Sequence, residues 1–189
     1  MPSFAASTAA ARSVFRRFRR NRRGSAAVEF ALVAPVFFAL LFAIVETALM
    51  FFASQVLETI TQDSARMIET GQAQSASYNA AAFKTNVVCP QIVALFTCNN
   101  IYVDVKSYSS FTSVTIDSEI DATGTFTSGN MKYCPGNAGE IVVVRLFYQW
   151  PLFVTGLGYN ISNLAGNQRL LVATAAFRNE PFTAPTSTC

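Results

Sequence analysis

The fold open to this chain is constrained first by an abrupt junction near its start, Arg22-Arg23-Gly24-Ser25-Ala26-Ala27-Val28-Glu29-Phe30, where a basic leader meets a long apolar run. Between Phe30 and Val45 no side chain is polar, and from Ser25 to Ala53 the only charges are Glu29 and Glu46. About 20 apolar residues suffice to cross a bilayer, so the run predicts one membrane-spanning helix. Arg12, Arg16, Arg17, Arg19, Arg20, Arg22 and Arg23 supply seven of the 14 Lys and Arg residues, all ahead of that run. Positive charge concentrated on one flank marks the side kept in the cytoplasm. The expected topology is a single pass of the inner (cytoplasmic) membrane, with the N-terminus inside and the C-terminal part outside.

Three kinds of N-terminus share these features. A secretory signal peptide has an apolar region of about 7–15 residues followed by small residues at a cleavage site. Here Glu46-Thr47-Ala48-Leu49-Met50-Phe51-Phe52 follows instead, bulky and still helical in pattern. An uncleaved signal anchor requires only hydropathy and flanking charge, and would leave Glu29 as an incidental interfacial residue. The third kind is marked by residue order: a long basic leader, Gly24, a small residue, then Glu29 as the fifth residue after the glycine. That order resembles the class III signal of type IV pilins.

The resemblance implies a cut by a prepilin peptidase between Gly24 and Ser25, on the cytoplasmic side, with the helix retained in the product. A carboxylate near hydrocarbon is poorly solvated and favours a cationic partner. Cleavage would create one, because the α-amino group of Ser25 is cationic at neutral pH. In pilins the equivalent glutamate pairs with a neighbouring subunit's N-terminus, so the resemblance assigns Glu29 to subunit registration. The bland alternative is a carboxylate snorkelling to the interface without a partner. Pro35 removes one helix hydrogen bond and is expected to kink the span. Glu46, near the outer edge, is expected to be interfacial rather than buried.

Beyond the span, Leu49, Phe52, Val56, Ile60 and Met67 recur at helical spacing, while Glu58, Gln62, Asp63, Arg66 and Glu69 fall elsewhere on the wheel. Gly71 is a natural C-terminal stop. A helix from about Ala26 to Thr70 would be roughly 65 Å long, too long to lie wholly in lipid, so its second half must pack on something. Alternation predicts strands around Ile101–Lys106 and Val114–Asp121, each with one wet face. The nearly continuous apolar run from Glu140 to Trp150 predicts a central strand, and Leu170 to Arg178 a fourth. Tyr78 to Leu95 reads as helical with an interruption at Pro90, and 129–139 and 156–166 read as loops. The expected class is α+β, a long hydrophobic N-terminal helix packed on a small, mostly antiparallel sheet.

Removing a leader with seven arginines and no acid turns the net charge from +3 to −4, so the basic character belongs to topology and no nucleic-acid partner is expected. Cys89, Cys98, Cys134 and Cys189 would all lie on the exported side, where disulfides persist. Three pairings are open; the expected one joins Cys89 to Cys98 as a short clip and Cys134 to Cys189 as a tie on the tail. Zinc is disfavoured by the spacings, and no metal or cofactor is expected. With no histidine in the chain, a Ser-His-Asp or Cys-His relay is excluded. Carboxylate chemistry stays open at Asp117, Glu119 and Asp121, which alternation places on one strand face as a hydrolase pair, a calcium site or simply a solvated surface.

The pilin-like start, long helix, small sheet and the ending Ala175-Ala176-Phe177-Arg178-Asn179-Glu180-Pro181-Phe182 together resemble the TadE-like family of tight-adherence (Flp) pilus systems. The resemblance implies a non-enzymatic minor pilin or pseudopilin needed for pilus assembly. Its implied partners are the prepilin peptidase, other minor and major Flp pilins, the inner-membrane assembly platform and membrane lipid. Major Flp pilins are much shorter and usually carry Tyr where this chain has Phe30, which agrees with a minor role. The implied organisation is a leader over 1–24, a transmembrane helix over 25–53 and an exported globular domain over 54–189. The rival readings are an uncleaved, membrane-anchored envelope binding domain and an anchored hydrolase.

Overall fold

The computed structural model describes residues 24–92, 94–154 and 159–184. The chain divides into two units, one ending at Ile44 and one beginning at Val45. A single helix, α1 (Ser25–Glu69), contributes to both.

In the first unit α1 is a bare apolar rod. Phe30, Phe37 and Ile44 are 67%, 58% and 67% exposed. It contains an 18-residue window of mean hydropathy 2.6, of which only 6% is buried, so it is long and apolar enough to cross a membrane. Pro35 lies inside α1, which runs through it. Lacking an N–H, Pro35 leaves the Ala31 carbonyl without its usual helical donor.

In the second unit the same helix becomes a core element. Met50, Ala53, Leu57, Ile60, Ala65 and Ile68 are buried in one cluster with Ile101 and Val105, Val142, Val144 and Leu146, and Leu171 and Ala173. This seam differs from the sequence expectation by about one position. Leu49 and Phe52, expected inward, are 48% and 58% exposed, Val56 and Met67 sit at the flank, and only Ile60 is fully covered. The true seam is rich in Ala, Ser and Thr, whose small side chains let the helix approach the sheet closely, an advantage that hydrophobicity alone does not score. Thr61 stays in the core because its hydroxyl donates to the Leu57 carbonyl at 2.8 Å.

α1 stops at Gly71, whose φ of +76° is left-handed. A Cβ there would run into the Phe182 ring. The chain then forms α2 (Gln72–Ser75) and α3 (Ala80–Phe83), the latter capped by Asn79, whose side chain accepts from Ala82 N at 2.8 Å. A π turn (Lys84–Val88) and a 3-10 turn (Cys89–Gln91) complete the expected helical stretch, with Pro90 in its last turn.

Strands β1 (Ile101–Tyr108), β2 (Ile141–Pro151) and β3 (Gln168–Arg178) form an antiparallel sheet in the order β1-β2-β3. The apolar run is the central strand, buried without interruption from Ile141 to Tyr148. Its other face is covered by a second cluster, where Phe147, Leu164 and Leu170 meet Tyr102, Ile120, Phe126 and Met131. The architecture is the expected α+β class, a long helix packed on a small antiparallel sheet.

The strand expected over Val114–Asp121 is absent. A 3-10 turn at Phe111–Ser113 leads into a loop whose ladder contact is one isolated bridge, Ile120 to Phe126. The apparent alternation fails because Ile116 is 66% exposed while Glu119 is 3% exposed. Three strands, not four, are found among the described residues.

The ending that carried the family resemblance is a clasp. Asn179, 3% exposed, donates its amide to the carbonyls of Pro135 and Asn137 at 2.9 and 3.0 Å. Arg178 Nε donates to the Gly139 carbonyl at 2.8 Å, and Glu180 N donates to the Glu69 carbonyl at 2.9 Å. The pattern therefore fixes the end of β3 to the end of α1 and to the loop before β2.

Candidate functional site

At the junction, Ser25 is the first residue of α1, and its hydroxyl donates to Glu29 Oε1 at 2.8 Å. Both residues are exposed, and the contact spans one helical turn. The side chains of Ser25 and Glu29 thus share one face of α1. Gly24 has no structural necessity here, since a Cβ added to it would meet nothing within 4 Å among the described residues. That contrasts with Gly71, where backbone and packing both demand glycine.

At the other end of the apolar run stands Glu46, which the structure buries rather than leaving interfacial. It is 7% exposed and accepts backbone hydrogen bonds from the loop after β2. Oε1 takes the Phe153 N–H, and Val154 N lies 3.2 and 3.1 Å from Oε1 and Oε2. The next residue, Thr47, shares a hydrogen bond with the Tyr159 hydroxyl. Successive backbone N–H groups converging on a carboxylate form an anion nest. Sequence reading missed it because the donors are main-chain atoms 107 and 108 residues away.

A third polar centre lies under the sheet. Arg145, the only charge inside the apolar run of β2, faces Asp104 of β1 in register. Its Nη2 donates to Asp104 Oδ2 at 2.7 Å and to Glu119 Oε1 at 2.8 Å, and its Nε reaches the same Asp104 oxygen at 3.1 Å. Nη1 donates to the Asp117 carbonyl at 2.9 Å, and the guanidinium lies 5.0 Å from the centre of the Phe147 ring. The side chains of Arg145, Asp104 and Glu119 are 4%, 1% and 0% exposed. Such burial requires pairing, because isolated charges are prohibitively costly in the interior. The triad pulls Glu119 inward, which is why the expected strand is a loop.

The three acids that alternation placed on one face are thereby separated. Glu119 is buried on Arg145. Asp117 is 57% exposed, 3.4 Å from Lys106. Asp121 Oδ1 accepts from Thr123 Oγ1 at 2.7 Å and from Thr123 N and Thr125 N, each at 2.8 Å. The Thr123 hydroxyl first, then the Thr125 amide, hold the Asp121 carboxyl below the usual carboxylate range. Asp117, Glu119 and Asp121 therefore do not form the single carboxylate face that alternation suggested. Beside them, an open cleft of about 770 Å³ is lined by residues including Lys106, Lys132 and Tyr133. Burial, with Tyr78 nearby, pushes the Tyr133 hydroxyl well above the ordinary phenol range, so it is held protonated and is a poor base.

Cys89 and Cys98 are disulfide-bonded, with Cα atoms 5.5 Å apart. Cys134 is also disulfide-bonded. Cys189, its expected partner, lies outside the described residues, as does the arginine leader. Among the described residues no group of three or more His, Cys, Asp or Glu is arranged to hold a metal.

The class defined by these features is a protein whose N-terminal helix is long and apolar enough to cross a membrane and continues into the core of a small α+β unit. Within that class, residues 24–66 match the family model described as TadE-like protein, so the resemblance read from the junction is borne out over that stretch. No curated protein and no solved structure matches the chain.

Proposed function

We propose that this protein is a minor pilin or pseudopilin of a tight-adherence (Flp, type IVb) pilus system, cut after Gly24 by a prepilin peptidase and required to assemble a pilus used in surface adhesion. The observation that carries the proposal is a coincidence at one residue. The TadE-like match begins at residue 24, and the glycine there is free of any packing or backbone demand among the described residues. A glycine that the described fold does not require, standing where the family match begins, is the residue this reading assigns to recognition by the peptidase.

In this reading the N-terminus stays cytoplasmic, α1 crosses the inner membrane over 25–53, and the globular part over 54–189 faces outward. Removal of the leader gives Ser25 an α-amino cation one turn from Glu29. Glu29 can pair with the N-terminus of its own chain or with that of a neighbour. Exchange from the first to the second would register one subunit against the next as they leave the bilayer. The partners are the other minor and major Flp pilins and the inner-membrane assembly platform. No step requires a cofactor or an enzymatic site on this chain.

Deletion of the protein should abolish surface pili and adhesion. Re-expression of the wild type should restore both, and Glu29→Leu should reach the membrane but fail to restore them. Pili of normal number in the deletion strain would refute the proposed role.

A further inference from the structure

Glu46 and Thr47 bind the loop between β2 and β3 to α1 at the point where the apolar run ends. We propose that Phe153, held beside Glu46 at the start of this loop, inserts into the outer leaflet of the bilayer that α1 crosses, seating the globular unit on lipid. The proposal rests on the membrane-spanning reading of α1 given above.

Depth is the first argument. A hydrocarbon core of about 30 Å takes about 20 helical residues at 1.5 Å each. Counted from Phe30, the first residue after Glu29, it reaches about Leu49, three residues past Glu46. A carboxylate at that depth needs partners other than water, and so do backbone amides. The latch satisfies both at once: the carboxylate of Glu46 takes the N–H groups of Phe153 and Val154 and is 7% exposed.

The second argument is what the latch leaves outside. Leu152 is buried, yet Phe153 beside it is 85% exposed. On α1, within two turns of Glu46, Leu49, Phe51 and Phe52 are 48%, 62% and 58% exposed. Single exposed apolar residues are ordinary, but several large ones at one end of a unit mark an interaction surface. Tyr159, whose hydroxyl meets Thr47, is the kind of amphipathic ring favoured at headgroup level.

Charge selects the occupant. From Pro151 to Gln168 the sequence carries no charged residue, whereas the loop that follows β1 presents Asp117 and Asp121 to solvent. An uncharged segment that exposes Phe153 and is anchored on Glu46, beside the end of an apolar span, fits the acyl–headgroup boundary of phospholipid.

The test uses the full chain in vesicles of phosphatidylcholine and phosphatidylglycerol whose acyl chains are brominated at shallow or deep positions. Trp150, the sole tryptophan, is replaced by Phe, and a single Trp is placed by Phe153→Trp, Phe38→Trp or Ile116→Trp. Phe153→Trp should be quenched most by shallow bromines and shielded from acrylamide. Phe38→Trp should be quenched by deep bromines, and Ile116→Trp by acrylamide alone. Adding Glu46→Ala should lower the quenching at Phe153→Trp several-fold and leave that at Phe38→Trp unchanged. Phe153→Trp open to acrylamide while Phe38→Trp is quenched by lipid would overturn the loop proposal and leave the span intact. Phe153→Trp shielded from both quenchers would overturn it in favour of a protein cover. Phe38→Trp untouched by brominated lipid would overturn the spanning reading itself.

Discussion

Replacing Arg145 with Met should be among the most damaging single changes in the globular unit, and the structure shows how the cost divides. Asp104 would keep two partners, the Lys132 amide at 2.9 Å on Oδ1 and the Lys106 ammonium at 3.7 Å. Glu119 would keep none, since Oε1 is held by Arg145 and the buried Oε2 already has no hydrogen-bond partner. Removing one partner of a buried ion network typically costs about 3–5 kcal/mol, because the remaining charge is stranded. The loop around Glu119 can swing out to hydrate its carboxylate, which would place the loss toward the lower end of that range. The assay is urea unfolding of the full chain in detergent micelles, followed through Trp150. A neutral triple variant, Asp104→Asn with Glu119→Gln and Arg145→Met, should recover to within about 2 kcal/mol of wild type, since whole buried networks are often replaceable. A loss below about 1 kcal/mol for Arg145→Met, the scale of an exposed pair, would refute the claim that the triad is desolvated and holds the loop.

Further changes probe the other joints of the fold. Gly71→Ala should cost about 1–2 kcal/mol for a left-handed non-glycine backbone, plus the collision with Phe182; in a Phe182→Ala background only the backbone part should remain, as read from the same unfolding curves. Reducing the Cys89–Cys98 clip, which spans a sequence separation of nine, should cost about 2–3 kcal/mol from loop-closure entropy, measured by comparing Cys89→Ser/Cys98→Ser with wild type. The lowered Asp121 carboxyl makes its turn a source of stability that is complete above the ordinary value of 3.8 and is lost as pH falls through the depressed folded value. The protection factors of the Thr123 and Thr125 amides, in which the intrinsic pH dependence of exchange is divided out, should therefore fall only in strong acid, and Asp121→Asn should remove that fall.

Local pattern carried the long-range architecture where one signal dominated. The run from Ile141 to Tyr148 is buried on both faces, and a strand of that composition is legible without knowing its neighbours. β3 was legible in the same way, through Leu171, Ala173 and Ala175 turned inward and Val172, Thr174 and Ala176 outward. The inner face of α1 was shifted because large residues at Leu49 and Phe52 outweigh Ala53, Ser64 and Ala65 in any hydrophobic count, although the small residues make the closer contact. The segment from Val114 to Asp121 misled because Glu119 belongs to a buried network rather than to a solvated face. Arg145 was itself a signal: one arginine in a run of apolar residues demands a buried acid, although the pattern does not say which, and the structure supplies Asp104 and Glu119. Glu46 gave no comparable sign of its partners, since backbone amides of a distant loop leave no trace in side-chain pattern. Gly24, Ser25 and Glu29 were marked by order and spacing, and the family match covers them.

Intact mass and terminal sequencing of the protein purified from its native membranes, for wild type and Gly24→Ala, test the pilin reading most directly. A wild-type chain beginning at Ser25, with the leader retained in Gly24→Ala, is the predicted result. A leader still attached in wild-type protein would contradict it and leave a membrane-anchored domain outside pilus assembly.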